Sequence, residues 1–502
     1  MKQGALIIFL VNYCAFLFSQ DLQMSRNFLF IKKNLPVEII NNHPSYFYVI
    51  RQNKVVHDMT IERRAKPSAE IIAFTPLKLD SVNATWFDYE NLDYMAFEDN
   101  YKLYFVFEKV LNTKRMVYLK IIDTTGKSSG FIELASLESD NMTAEFFFHC
   151  MKTINNDILL TATKINLYGI RRKVHVLFST QKKQIIWTKR LPLENEATVR
   201  TLNYTCNKYN DLCYLQVLSS VVGSETFGGI TRTIRQMDSL VFWEWESSAS
   251  APVPRKLNLL GIDQIVGGFI IPDSSITRIS LQGLKEDTLT GDQNEKIVNI
   301  GLGNASGNEV FNVLTPYDAK IKEQLTFYDG PQKESSSKQH YYLGDYTQGQ
   351  YDYIFFERTE GYYYKELLFR KTNNINGEVV LQKIIPRKIF FFKHRTRFKH
   401  LEEPMFFTEG ERVKVVLAEH PGNFRDSAEG FNYRDFKKET NLSGANIVSY
   451  SLEKNGFFNK MLIYRNAEFD LVPLKYSGTE KDMVFYLYNN KFEKFAIWRP
   501  YP

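Results

Sequence analysis

The stretch KLYFVFEKVLNTKRMVYLKIIDTTGK, Lys102 to Lys127, holds two runs rich in β-branched and aromatic residues, joined by a polar LNTK and closed by a Gly-containing turn. That is the pattern of a β-hairpin. In its first run Leu103, Phe105 and Phe107 alternate with Tyr104 and Val106, so both faces are apolar. A strand that is apolar on both sides needs cover on both, which places it inside a layered structure and not on a half-wet sheet.

Outward from this hairpin the same layout recurs. EFFFHCM, DILLTATKI, KVHVLFSTQKK and QIIWTKRLP give four short strands between Glu145 and Pro192. Two further quartets run from Tyr341 to Pro386 and from Pro404 to Tyr464. Taken at the second strand of each unit, the series reads Lys102, Asp157, Asp211, Tyr351, Glu411 and Asp482, a step of about 55 residues with one gap of about two periods. The gap, around 223–339, is expected to hold one or two more units interrupted by irregular insertions, because GSETFGG, ESSASAPVP, GLGNASG and DGPQKESSS have loop composition. The closing stretch DMVFYLYNNKFEKFAIWRP supplies only two strands, and SYFYVIRQNKVVHDM near the start is the expected complement of that last sheet.

Four-stranded sheets in series, with little helical periodicity between them, predict an all-β fold: a β-propeller of about seven blades, with tandem β-sandwiches as the alternative. In this layout the chain resembles β-propeller repeat proteins as a broad group. KVHVLFSTQKKQIIWTKRLP is similar to the closing half of a blade in quinoprotein-type propellers: an apolar strand, a polar turn, then an apolar strand ending in Trp. Gly-His and Trp-Asp tandem signatures, kelch diglycines and the dense cysteine framework of semaphorin-type propellers are missing, so no functional residue carries over from those families.

Residues 1–19, within MKQGALIIFLVNYCAFLFSQ, place one Lys before an apolar run and a polar exit, the order of a secretory signal peptide. An uncleaved anchor is the alternative, but the run is shorter than the ~20 residues that span a bilayer, and Asn12 interrupts it. No later segment is apolar enough to span, so residues 20–502 read as one exported propeller domain without a transmembrane helix. The 502 residues are 44% hydrophobic and 24% charged, enough for a large core. With 63 Lys and Arg against 57 Asp and Glu, the net charge of +6 is too balanced for a nucleic-acid partner.

Three cysteines follow the leader. In CNKYNDLC the pair Cys206 and Cys213 flanks an Asn/Asp-rich turn, which would allow a disulfide across a hairpin, with two small buried thiols as the alternative. Cys150 is left for the core. The sequons at Asn83, Asn141, Asn203, Asn304 and Asn441 would carry glycans in a eukaryotic secretory route.

Catalytic patterns fail on inspection. DTTGKS ends like a phosphate loop but lacks its first glycine and sits on a hairpin, and the Ser-x-x-Lys spacing in SSSK lies in a Ser-rich loop. The eight histidines are scattered without zinc spacing, with His149 and His175 in apolar strand patterns that favour a core role. Acidic residues interleaved with aromatics between Asp80 and Asp99 are the best lead for a glycosidase, although a solvated rim explains them as well. No catalytic residue, metal or cofactor is assigned. The strongest charge signal is RKIFFFKHRTRFKH, where Arg387, Lys388, Lys393, Arg395, Arg397 and Lys399 would make a positive ridge for an anionic ligand if they share one side of an extended segment. The bland reading is an edge strand charged against aggregation. The expected function is recognition of a protein, a glycan or an anionic surface through loop faces, with an exported glycosidase-like hydrolase as the rival.

Overall fold

The computed structural model describes residues 21–77, 94–316, 338–390, 404–422 and 446–499, apart from stretches of a few residues inside them. Every regular element among the described residues is a strand, and the strands form eight sheets. In chain order, blade 1 spans residues 34–77, blade 2 spans 94–138, blade 3 spans 143–195, blade 4 spans 199–257, blade 5 spans 264–316, blade 6 spans 338–390 and blade 7 spans 405–464. Blade 8 combines 470–472 and 483–499 with the early strands 21–24 and 28–29. Each is a four-stranded meander, and three carry a short fifth strand. The fold is a β-propeller of eight blades, not tandem sandwiches.

The count exceeds the expected seven for one reason. The segment around Ser45 does not complete the last sheet; it is the second strand, Tyr46–Asn53, of a blade of its own. The last sheet is completed instead by Asp21–Met24, antiparallel to Phe492–Arg499 with Leu22 opposite Trp498. The expected irregular stretch near Gly223 is also regular. Leu212–Phe227 and Ile230–Trp245 form a hairpin of 16-residue strands, paired out to Phe227 opposite Ile230. Cross-strand pairing overrides the weak strand propensity of its Gly and Ser residues.

The chain divides into two compact units, Met1–Asp80 with Ile122–Ser128 and Phe392–Pro502, and Ser81–Ile121 with Ser129–Phe391. In the first unit, Ile39, Phe47 and Val49 of blade 1 pack with Val484, Phe495 and Ile497 of blade 8. A buried four-charge cluster joins the same blades: Arg51 meets Glu62 at 2.9 Å and Glu493 at 3.1 Å, while Arg64 meets Glu62 at 2.7 Å. Two cations facing two anions leave no net buried charge, the condition under which such a cluster is tolerated.

In the second unit one apolar cluster joins blades 2 and 3, others join blades 3 and 4 and blades 4 and 5, and a fourth joins blades 5 and 6. This explains the double-sided strands, since each face is the core of a different blade pair. Burying each large apolar side chain is worth roughly 1.5–3 kcal/mol, so packing alone can hold such a fold. Among the described residues cysteines add no covalent tie: Cys150, Cys206 and Cys213 are all free and buried. The disulfide between Cys206 and Cys213 is not formed because the register is offset by one. Cys206 lies opposite Leu212, and Cys213 lies opposite Thr205. Side chains alternate along a strand, so Cys206 joins Leu177 and Trp187 on one face while Cys213 joins Leu215 and Phe242 on the other.

Candidate functional site

Three first-to-second-strand turns of the larger unit present exposed aromatic and aliphatic side chains on rigid supports. In blades 3 and 4 the turns Thr153–Asp157 and Asn207–Asp211 have one geometry. The Thr153 amide donates to the Asp157 carbonyl at 2.9 Å and the Asn207 amide to the Asp211 carbonyl at 3.1 Å. Asn156 and Asn210 sit at φ 62° and 65°, a left-handed conformation that asparagine adopts more readily than most residues. Each turn ends in a buried Asp that accepts from the third-to-fourth-strand turn of its own blade, Asp157 from the Thr180 amide at 3.1 Å and Asp211 from the Ser247 amide at 2.7 Å. The first and third connections of a four-stranded meander lie at one end of its blade, and these bonds lock them together. Asp352 of blade 6 and Asp482 of blade 8 occupy the matching place and bind Arg278 and Lys66 instead.

Neighbouring turns are also tied to each other. Asn155 donates to the Lys208 carbonyl at 2.9 Å and to the Asn210 side chain at 2.8 Å, while the Trp187 indole donates to the Asn210 carbonyl at 2.8 Å. Lys152 of blade 3 reaches Asp99 of blade 2 at 3.3 Å. On this frame Tyr101, Ile154 and Tyr209 are 60%, 46% and 60% exposed.

The blade 2 turn is the unusual one. Asp99 pairs with Lys102, leaving a two-residue loop of Asn100 and Tyr101 with φ of 46° and 61°. Positive φ at both positions is the mark of a type I′ hairpin turn, whose second place favours glycine. Blade 6 uses glycine in its two-residue loop, with Gly349 at φ 57°. Blade 2 instead puts a large aromatic side chain where its own Cβ is disfavoured, at a cost of roughly 1–2 kcal/mol.

A second cluster lies inside, where blade 3 faces blade 4. His149, Thr161, His175 and Lys189 stand in one cross-strand row. His175 is fully buried, its Nδ1 is 2.7 Å from the Thr161 hydroxyl, and its ring lies 5.1 Å from that of Tyr204. His149, which the sequence assigns to the core, is exposed at the end of this row and meets Tyr204 edge-on at 6.0 Å. It belongs to a first strand whose residues alternate between exposed and buried, whereas His175 lies on an inner strand covered on both faces. Burial, and then Lys173, depress the His175 pKa from 6.5 to about 3, so the ring is neutral. One row further, Lys173 meets Glu194 at 2.7 Å, and Glu194 also accepts from Thr201 at 2.8 Å and Gln216 at 2.7 Å. The hydroxyl beside His175, that of Thr161, is buried with it away from solvent, and the seam's carboxylate faces a cation. Among the described residues no three His, Cys, Asp or Glu side chains group as metal ligands.

Several residues singled out in the sequence fall elsewhere. Lys393, Arg395, Arg397 and Lys399 lie outside the described residues, as do Asn83, Asn141, Asn441 and most of the acidic stretch from Asp80. Arg387 and Lys388 lie on the strand Val379–Phe390. Asn203 is half-buried and its carbonyl accepts from the Ile270 amide at 3.3 Å, while Asn304 donates to the Asp273 carbonyl at 2.8 Å. Both sequon side chains are engaged in the fold. In DTTGKS the turn amides of Thr125 and Lys127 point at Asp123, at 2.9 and 3.0 Å, where a phosphate loop would present them to a ligand.

No known protein family matches the chain, and no curated protein matches it. Solved structures similar to it include a point mutant of the Synechocystis apocarotenoid oxygenase, with a TM-score of 0.39 and 7% identity over 92% of this chain and 97% of that one. A prolyl endopeptidase gives a TM-score of 0.37 and 11% identity over 96% of this chain and 55% of its own. The WD40 domain of SCAP from fission yeast gives 0.36 and 7% identity over 96% and 99%. At such scores none of them lends its chemistry to this chain.

Proposed function

We propose that this protein is an exported recognition module that binds its ligand on the turn end of blades 2 to 4, through Tyr101, Ile154 and Tyr209. The placement of Tyr101 carries the reading. A backbone that favours glycine holds an exposed tyrosine, and strain retained at an exposed turn is a reason to look for a ligand. Exposed tyrosine is a low-entropy contact surface for protein or sugar, and the bonds among the turns fix its orientation in advance. Export is supported by residues 1–19, and sequencing the secreted chain is expected to find Gln20 at its N-terminus.

The binding reading is tested with the full chain on glycan and protein arrays, comparing wild type with Tyr101→Gly and Tyr209→Ser. Each substitution is expected to weaken array binding about tenfold or more, the size of one lost aromatic contact. Tyr101→Gly is expected to leave stability unchanged or to raise it by up to about 1 kcal/mol, because glycine relieves the left-handed strain. Undiminished binding, or a marked loss of stability in Tyr101→Gly, would show that the side chain serves the fold and not a ligand. The basic stretch Arg387–His400 is a second candidate surface, through its Arg and Lys charges.

A further inference from the structure

We infer that the ligand of this end is an acidic glycan, a sugar chain bearing carboxylate or sulfate groups; the inference rests on the recognition reading above. The third-to-fourth-strand turn of blade 3 carries Lys182 and Lys183, both exposed, and is fixed beside the first turn by the Thr180 amide on Asp157 and the Thr180 hydroxyl on the Asn156 carbonyl at 3.2 Å. Its own geometry is tight, with Lys183 at φ 55° and its amide donating to the Ser179 carbonyl at 2.8 Å. Across the blade boundary, Lys208 sits one residue before Tyr209, its Nζ 4.9 Å from the centre of that ring.

The acids at this end are largely committed. Asp99 holds Lys152, Asp157 and Asp211 are buried under turn amides, and Glu246 stands exposed in the matching turn of blade 4. Lys182, Lys183 and Lys208 make no ion pair among the described residues. The surface therefore offers ammonium groups around tyrosine rings and the exposed Asn156 side-chain amide. Sugar rings stack on tyrosine, amides bond to hydroxyls, and ammonium groups answer regularly spaced anionic substituents. An acidic polypeptide would use the charges but gain less from the rings, and a nucleic acid, whose bases also stack on tyrosine, is separated by the test.

The test measures full-length protein against polygalacturonate, heparin, neutral dextran, polyglutamate and single-stranded DNA, at low and high salt. Wild type is expected to hold the two acidic glycans in preference to the other three, and Lys182→Ala, Lys183→Ala and Lys208→Ala combined to weaken that binding at least about tenfold and flatten its salt dependence. Undiminished acidic-glycan binding in the triple variant overturns the inference. So does loss only when Arg395, Arg397 and Lys399 are replaced by alanine. Equal binding of polyglutamate or DNA also overturns it, because charge alone would then suffice. If dextran binds wild type and triple variant alike and Tyr101→Gly abolishes it, the recognition reading stands while the acidic ligand is refuted. A thermal unfolding midpoint matched to wild type shows that each variant is folded.

Discussion

The two faces of blade 3 are made by the same strands and solve the same problem differently. Toward blade 2, Phe148, Ile158, Leu160, Val174, Val176 and Phe178 join an unbroken apolar cluster. Toward blade 4, the alternate residues begin with Leu159, Leu177 and Trp187 near the turn end, then give way to Thr161 and His175, and then to Thr163, Lys173 and Glu194. One face depends on filled volume, the other on paired polar groups such as Lys173 with Glu194, with His175 Nε2 buried without a hydrogen-bond partner among the described residues. The second arrangement is the more fragile, since removing one partner strands another charge in a dry interior.

The sharpest way to separate the faces is to damage each in its own way. Phe178→Ala is expected to lower unfolding stability by about 4 kcal/mol, from lost burial and the cavity left behind, by the same amount at pH 7.5 as at about pH 5. Glu194→Ala is expected to cost about 3 kcal/mol by leaving Lys173 buried without its counterion. Replacing the pair together, Lys173→Met with Glu194→Leu, is expected to recover most of that loss in urea melts. If the double variant is no better than the single, the seam is not held by charge pairing.

A smaller effect concerns acid. The folded state keeps His175 neutral down to about pH 3, whereas the unfolded chain takes up the proton near 6.5. Below pH 6.5 the unfolded state therefore binds more protons, and stability falls with decreasing pH by up to about 1.4 kcal/mol per unit until the folded pKa is reached. Urea midpoints for wild type and His175→Gln between about pH 7 and 4.5 are expected to diverge, the variant losing this part of the slope. Parallel curves would mean that His175 is solvated and that the seam is wetter than its burial indicates.

Much of this was readable in the sequence. Strands apolar on both faces, such as Lys102–Leu111, disclose packing between blades, and the starts of the second strands at Asp157, Asp211 and Asp482 mark the repeat. The aspartate itself is a signature that spacing alone missed: it caps the blade end in blades 3 and 4 and binds a cation in blades 6 and 8. The Cys206–Cys213 pairing was not legible, because a one-residue offset decides the face and turn composition does not fix register. Tyr101 was hidden for a similar reason. Asn-Tyr is not a hairpin-turn dipeptide by propensity, and only strand pairing on both sides forces it into that conformation. The long hairpin of blade 4 was masked by glycine and serine, whose composition carries no record of the partner strand.

The pairing of Asp21–Met24 with Phe492–Arg499 has a consequence for biogenesis. Asp21–Met24 must wait for a partner strand translated far downstream, holding its unpaired backbone in reserve until that strand is made. Chaperone dependence, and sensitivity to C-terminal truncation even by a single strand, should accordingly be concentrated in blade 8.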